Sequence, residues 1–490
     1  MNPPIRREKR SDILQRARPL LLLLLLLALD VRLFSLGSKS LWLDEANSIR
    51  VAKLGQADFW AGNAEAYHPP LFYALLEYWL QFGENEANLR LPMAIGGVAC
   101  VLLVYAFASE LAGSQVALTA AGLTAFSPLL IWYSQELRPY SLLAALALIG
   151  MIALRRMLLR PHLGWWLVFA AASIVMLYLH YAAVLLFVVE AVFVIASLAA
   201  GRATRLGIVG WLAGLLVTLV ALWPWFSTPV FGNFVGYYLS NGGYVGDLLA
   251  SRFNLKLELN QISGELVILA LAFVLVLMFA LFPLFRALYR GGVLARLRAA
   301  APVQVVSAVL FLASLVAFVV PQAYSLKREI AILWPFALVL FAWLWPWRPQ
   351  SYGFVGCILA LSLAASVVNL ALVPKDQWRE AAAYISANSA ANDVVFLEPA
   401  YMKTPFDYYN RQGLEAVGAD FNAGDDRLSK LACQYDRVWL VDHQIDRDPL
   451  ARTQHWFDAR SQPALTISFF RIDVRLYAMD HARDHCPPVS

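Results

Sequence analysis

The chain has 490 residues, 60% of them hydrophobic and 15% charged, a balance too apolar for an ordinary soluble enzyme. Its net charge of +5 comes from basic residues gathered in the connections between apolar runs, which reflects membrane topology and argues against a nucleic-acid partner.

Runs able to cross a bilayer, at roughly 20 residues each, recur about eleven times, near 18–36, 89–112, 115–132, 139–158, 163–179, 181–199, 206–225, 264–285, 303–322, 329–347 and 352–373. The first follows Arg6, Arg7, Lys9, Arg10, Arg16 and Arg18 and has no small-residue cleavage site after it, so it reads as an uncleaved signal anchor with a cytoplasmic amino terminus. Asp30 and Arg32 lie near its outer end, placed to pair, to face the bundle or, for Arg32, to snorkel to the interface. Alternate connections repeat the basic bias, with Arg155, Arg156 and Arg160, then Arg202 and Arg205, then Arg286, Arg290, Arg296 and Arg298. An odd number of spans then exports the carboxy-terminal segment.

The loop after the first span is exported too. It carries adjacent carboxylates, Asp44 and Glu45, at the start of a short amphipathic helix expected over 43–54. A helix N-terminus favours such carboxylates and keeps them ionised. Next, Tyr67-His68-Pro69-Pro70 introduces the aromatic-rich Leu71–Phe82, closed by Gly83 and too short to span, so an interfacial helix is expected there. Further exported segments hold Gln135, Glu136, Arg138 and Tyr140, then the His180-Tyr181 turn, then a Gly/Asn/Tyr-rich loop at about 227–263, then Lys327 and Arg328 opening the tenth span. Trp42, Trp165, Trp166 and Trp345 read as interface anchors.

After Pro374 the composition changes. Trp378–Asn388 reads as a helix; Asp393–Leu397, Arg437–Val441 and Ile467–Tyr477 read as strand-like. The expected architecture is a polytopic α-helical membrane domain (1–373) of about eleven transmembrane helices plus interfacial helices, followed by a small extracytoplasmic α/β domain (374–490). Localisation in the plasma (inner) membrane follows. Cys100 and Cys357 fall in spans, while Cys433 and Cys486 share the exported tail, where a disulfide is permitted. The tail has no metal-spaced Cys/His cluster and no Gly-rich phosphate loop; no cofactor is required, and a divalent metal is left open.

An ionised carboxylate at a membrane surface suits proton removal from an acceptor hydroxyl. The matching donor has a leaving group that departs without an acid, as a lipid-linked phosphosugar does, and cations must receive that phosphate. Arg138, Lys327, Arg328 and His68 are the available ones. One base with direct displacement implies inversion at the anomeric carbon.

The motifs Leu41-Trp42-Leu43-Asp44-Glu45-Ala46, His68-Pro69-Pro70-Leu71, Trp132–Tyr140 and Asp376-Gln377-Trp378-Arg379-Glu380-Ala381-Ala382 together resemble the family 39 type glycosyltransferases of the GT-C superfamily. That group includes protein O-mannosyltransferases, lipid A aminoarabinose transferases and galacturonosyltransferase-like enzymes. The resemblance implies a GT-C fold, a polyprenyl-phosphate-sugar donor used at the non-cytoplasmic face, and a glycan, lipid or protein acceptor, in contact with membrane lipids. It puts Asp44 in the catalytic position with Glu45 in support. His68 falls where the aminoarabinose transferases have a Lys before Pro, and Arg328 where relatives often have an Arg opening a late span. Tyr67, Gln135, Glu136, Tyr140, His180 and Tyr181 then line the site, and the tail and the 227–263 loop are placed to select the acceptor. A transporter or flippase would instead carry polar groups near mid-membrane and repeat-like halves. A lipid-linked oligosaccharide ligase would use a diphosphate donor.

Overall fold

The computed structural model describes residues 5–61, 68–232, 324–345, 351–419, 425–444 and 450–479. The chain forms two units, one of residues 1–36, 54–83 and 88–370 and one of residues 37–53, 84–87 and 371–490.

The first unit is helical. In chain order its elements are α1 (Ile5–Leu33), the end of α2 (Leu43–Trp60), α3 (Leu71–Trp79), α4 (Glu86–Ala112), α5 (Ser114–Phe126), α6 (Pro128–Ser134), α7 (Tyr140–Leu159), α8 (Leu163–Leu179), α9 (Val184–Ala199), α10 (Arg205–Phe226), α11 (Tyr324–Leu344) and α12 (Ser351–Leu372). Five helices among the described residues are long and apolar enough to cross a membrane, or six if the bent pair α5–α6 is one span. The expected spans near 264–285 and 303–322, and most of the 227–263 loop, lie outside the described residues. The short helices follow their local signals. The non-helical break inside α2 falls at Gly55 (φ 80°), one residue past the expected helix end at 54. Pro70 caps α3, and a 3₁₀ turn over Leu80–Phe82 stops at Gly83 (φ 126°).

The run near 115–132 is not one straight span. It breaks between α5 and α6 with a bend of 57°. Pro128 lacks an N–H and stands at N1 of α6, where Ser127 is the N-cap and its Oγ accepts from Leu130 N at 3.5 Å. The carbonyls at the end of α5 thereby lose their helical partners, a costly state away from water. Arg32 supplies the replacement. Fully buried, it donates to Ala125 O at 2.9 Å, Thr124 O at 3.2 Å, Ala28 O at 3.2 Å and Ser134 Oγ at 3.2 Å. Of the three placements open to Arg32, the structure takes the one facing the bundle, because a five-donor fork satisfies several carbonyls at once. Gly97 of α4 leaves room for it: a Cβ there would meet Ser134 Oγ at 2.3 Å and Arg32 Nε at 2.7 Å. The α1 end is capped in return, as Gln135 Nε2 donates to Arg32 O at 3.0 Å and Phe34 O at 2.8 Å.

Not every aromatic acts as an interface anchor. Trp345 is buried and stacks on Phe354 with ring centroids 5.3 Å apart, whereas Trp165 lies under the Arg156 guanidinium at 4.4 Å. Cys100 is buried in α4 and Cys357 is exposed on α12.

The second unit is built on a five-stranded sheet of order β2-β1-β3-β5-β4. Its strands are β1 (Asp393–Glu398), β2 (Glu415–Gly418), β3 (Arg437–His443), β4 (Leu465–Phe469) and β5 (Ile472–Ala478). β1 runs parallel to β2 and β3, and β5 is antiparallel to β3 and β4. The segment Ile467–Tyr477 is therefore a hairpin rather than a single strand, turning at Phe470-Arg471 with Arg471 at φ 66°. Side chains alternate across the sheet. Val395, Leu397, Trp439 and Val441 meet α13 (Trp378–Asn388) and α14 (Lys403–Tyr409) on one face. Val394, Phe396, Val438 and Leu440 meet α15 (Asp425–Gln434) and α16 (Arg452–Asp458) on the other. Cys433 is disulfide-bonded, and Cys486, with which the sequence would pair it, lies outside the described residues.

At the start of β1 Asp393 accepts from Arg437 Nε at 2.8 Å, Trp439 Nε1 at 2.8 Å and Ala390 N at 2.9 Å. Burial alone would raise the Asp393 carboxyl; these donors outweigh it and hold the group below the usual carboxylate range.

Two measurements follow. Arg32→Leu leaves buried carbonyls unpaired and should destabilise the protein by about 3 kcal/mol, read as a lower thermal midpoint in detergent; a wild-type midpoint would contradict the capping role. A depressed carboxyl contributes stability above its unfolded value of about 4 and loses it as pH falls. The midpoint gap between wild type and Asp393→Asn should therefore be full near neutrality and shrink below about pH 4, and a pH-independent gap would refute it.

Candidate active site

Five expected site residues converge within the helical unit. His68 stands just before α3, Arg138 and Tyr140 close the α6–α7 connection, and His180 and Tyr181 form the α8–α9 turn. The Arg138 guanidinium donates to His68 Nε2 at 2.9 Å. The His68 ring stacks on His180 with centroids 4.5 Å apart and 27° between planes, and lies 6.3 Å from the Tyr181 ring. Tyr140 is 5.5 Å from His180, and Arg138 lies 6.0 Å from the Tyr140 centroid. Arg138, Tyr140 and His180 are buried, while His68 and Tyr181 are half-buried.

Local structure sets these orientations. His180 is extended (φ −167°, ψ 139°), ending α8, and its Nδ1 accepts from Ala182 N at 3.1 Å to cap the following 3₁₀ turn. Tyr181 OH accepts from Trp225 Nε1 at 3.1 Å. Guanidinium has donors only, so the His68 nitrogen facing Arg138 is an acceptor and carries no proton. A second proton would put two cations against each other. His68 thus serves Arg138 as a neutral acceptor, which differs from the cationic part the sequence suggests for it.

Two neighbours turn their groups inward to the scaffold. Gln135 caps α1, and Glu136 Oε1 accepts from Trp132 Nε1 at 2.9 Å. Lys327 and Arg328 lie in the first turn of α11, with side chains outside the described ones, and Tyr67 is outside the described residues. Among the described residues no group of three or more His, Cys, Asp or Glu is placed to hold a metal. Beside α3, a cavity of about 290 Å³ is walled by Trp60, Pro70, Leu71 and Ala74 with Ile174, Val175 and Tyr178 of α8.

The acidic pair belongs to the other unit. Both residues occupy the first turn of α2, at the positive end of its dipole, but their surroundings differ. Glu45 is fully buried; its Oε2 is 3.4 Å from Lys375 Nζ and accepts from the Trp42 N–H at 3.3 Å. That second contact is half of a capping box, with the third helical residue reaching back to the N-cap. Asp44 is half-exposed, and its backbone carbonyl accepts from Ser48 Oγ at 2.7 Å. Within the same unit Arg379 donates to Gly37 O at 3.3 Å, Ser38 O at 2.5 Å and Glu86 Oε1 at 3.1 Å. Burial would lower the Arg379 guanidinium, and the Glu380 and Glu86 carboxylates reverse that, so it is raised. Sequence reasoning named Arg379 only as part of a motif and passed over Lys375 and Glu86. The one signal for Lys375 and Arg379 is composition: a charged Lys-Asp-Gln-Trp-Arg-Glu run next to an apolar span.

Residues 67–227 match the family described as dolichyl-phosphate-mannose-protein mannosyltransferase. No match is found among curated proteins. Among solved structures, ArnT from Cupriavidus metallidurans bound to undecaprenyl phosphate is similar at a TM-score of 0.56 and 14% identity, over 93% of this chain and 97% of that one. Its apo form gives 0.56 and 15%, over 97% and 100%. The archaeal oligosaccharyltransferase AglB from Archaeoglobus fulgidus, in complex with an inhibitory peptide and a dolichol-phosphate, gives 0.50 and 12%, over 96% of this chain and 75% of that one. At such identities these likenesses speak for the fold, and the family match covers the segment holding His68, Arg138, His180 and Tyr181. The chain thus has the fold of ArnT and AglB, and its residues 67–227 are similar to the dolichyl-phosphate-mannose-protein mannosyltransferase family.

Proposed function

We propose that the chain moves a sugar from a polyprenyl-phosphate donor to a hydroxyl of a glycan, lipid or protein acceptor, at the non-cytoplasmic face, with inversion at the anomeric carbon. The observation that carries this reading is the division within the acidic pair. Glu45 is buried against Lys375, whereas Asp44 beside it at the α2 N-terminus is half-exposed.

Asp44 takes the proton of the acceptor hydroxyl. The oxygen then forms its bond to the anomeric carbon as the carbon–oxygen bond to phosphate breaks. The bonding pair leaves with the polyprenyl phosphate, already a stable anion, so no general acid is needed. Arg138 receives the phosphate charge, held in orientation by His68, and Lys327 and Arg328 at the start of α11 add positive charge. Tyr67, Tyr140, His180 and Tyr181 shape the donor side, and the apolar cavity beside α3 has the lining an isoprenoid tail requires. The basic amino terminus stays in the cytoplasm, which exports both the acidic loop and the tail. The membrane and tail domains divide near residue 373, and the enzyme works in the plasma membrane on envelope glycans.

Asp44→Asn should lower transfer from a polyprenyl-phosphate sugar by roughly 10³-fold with donor binding retained; wild-type turnover would remove the base assignment. The acceptor role of His68 gives an order of rates. His68→Gln can still accept from Arg138 and should transfer faster than His68→Lys, which sets an ammonium against the guanidinium. The reverse order in initial-rate assays would discard it.

A further inference from the structure

The tail motif that opens with Lys375 directs its polar groups at the loop that carries Asp44. Lys375 Nζ meets Glu45 Oε2 at 3.4 Å, and side-chain exposure is only 6% and 0%. The Ser40 hydroxyl donates to Glu380 Oε2 at 2.7 Å and accepts from Arg379 N at 3.3 Å. Tyr409 OH accepts from Leu41 N at 2.7 Å and donates to Glu86 Oε1 at 2.9 Å. Together with the Arg379 contacts to Gly37 and Ser38, these fix residues 37–45 from end to end.

The motif is itself fixed to the sheet. Asp376 accepts from Arg471 Nη1 at 3.2 Å and lies 3.4 Å from His443 Nε2. Gln377 Oε1 accepts from Phe470 N at 2.8 Å. Trp378 is fully buried in the sheet's core, against which Leu43 packs. A continuous path of contacts thus runs from the β4–β5 turn through 375–380 to the first turn of α2.

We infer that Lys375 is a positioning residue for Asp44: by pairing with Glu45 it fixes the first turn of α2, so the tail is a working part of the catalytic loop as well as a placement for acceptor selection. This rests on the reading of Asp44 as base. A buried carboxylate that loses its cation is strongly destabilised in place, so without Lys375 the turn must shift or Glu45 must take up a proton. A displacement of about 1 Å at a reacting group costs on the order of 100-fold in rate. Donor affinity, which does not pass through Glu45, should be spared.

The test uses the full-length protein in detergent with a polyprenyl-phosphate sugar, measuring kcat and donor KM separately. Lys375→Met should lower kcat by about 100-fold and leave donor KM within about twofold. Lys375→Arg keeps the charge and should retain most of the rate. The double variant Glu45→Gln with Lys375→Met removes the stranded charge and keeps an acceptor for Trp42 N, so it should recover at least about tenfold over Lys375→Met. A raised donor KM, or no recovery in the double variant, would mean that Lys375 acts on the donor and would overturn the inference. If Lys375→Met does not fold, Ser40→Ala carries the test, with a lower kcat at constant KM expected and a wild-type kcat overturning it. Asp44→Asn in the same assay separates the two readings. An active Asp44→Asn removes the base itself, whereas an inactive one beside a fully active Lys375→Met removes only the positioning role.

Discussion

An irregular backbone within an apolar bundle must find hydrogen bonds among its own side chains, and Arg32 provides them. The bend between α5 and α6 exposes the carbonyls of Thr124 and Ala125, and one buried guanidinium takes both while also reaching Ala28 and Ser134. Gln135 closes the end of α1 in return. The bend sends the chain into the short α6, and Arg138 follows immediately after. A straight span would carry that segment on along the α5 axis. The cation of the candidate site is thus placed by a second, fully buried cation.

The second unit solves a different problem, that of holding still the loop that carries Asp44, the proposed base. Hydrogen bonds to an exposed loop contribute little where water competes, so the tethers are drawn into shelter. Glu45 and Lys375 are buried, Trp378 fills the core beside them, and Leu43 packs on that core. The sequence neighbours Asp44 and Glu45 point about 100° apart on a helix, so one can be sealed while the other stays accessible. Adjacent identical charges therefore need no shared pocket and no shared proton.

Local signals carried much of this architecture and non-local ones did not. The α2 break, the α3 start and the stop at Gly83 follow Gly and Pro rules that act within a few residues. The grouping of His68, Arg138, Tyr140, His180 and Tyr181 was legible because alternate connections of a membrane bundle share a side. The bend in 115–132 was not, since hydropathy records that α5 and α6 are apolar and says nothing of an arginine some 90 residues away that caps the break. The β4–β5 hairpin reads in sequence as one strand because its turn is Phe470-Arg471, without the Gly or Asn that usually signals positive φ. Lys375 and Glu45 are 330 positions apart, and no periodicity links them.

His68 shows why residue type alone does not settle charge. Beside prolines on an exported loop, a histidine reads as a phosphate-binding cation. Against Arg138 its only favourable state is the neutral tautomer that accepts at Nε2, because the guanidinium is always charged and has no lone pair to offer. The histidine then sets the direction of the guanidinium without adding charge. A guanidinium oriented in advance is the kind of preorganised stabilisation that charge developing on a departing phosphate, the proposed leaving group, requires.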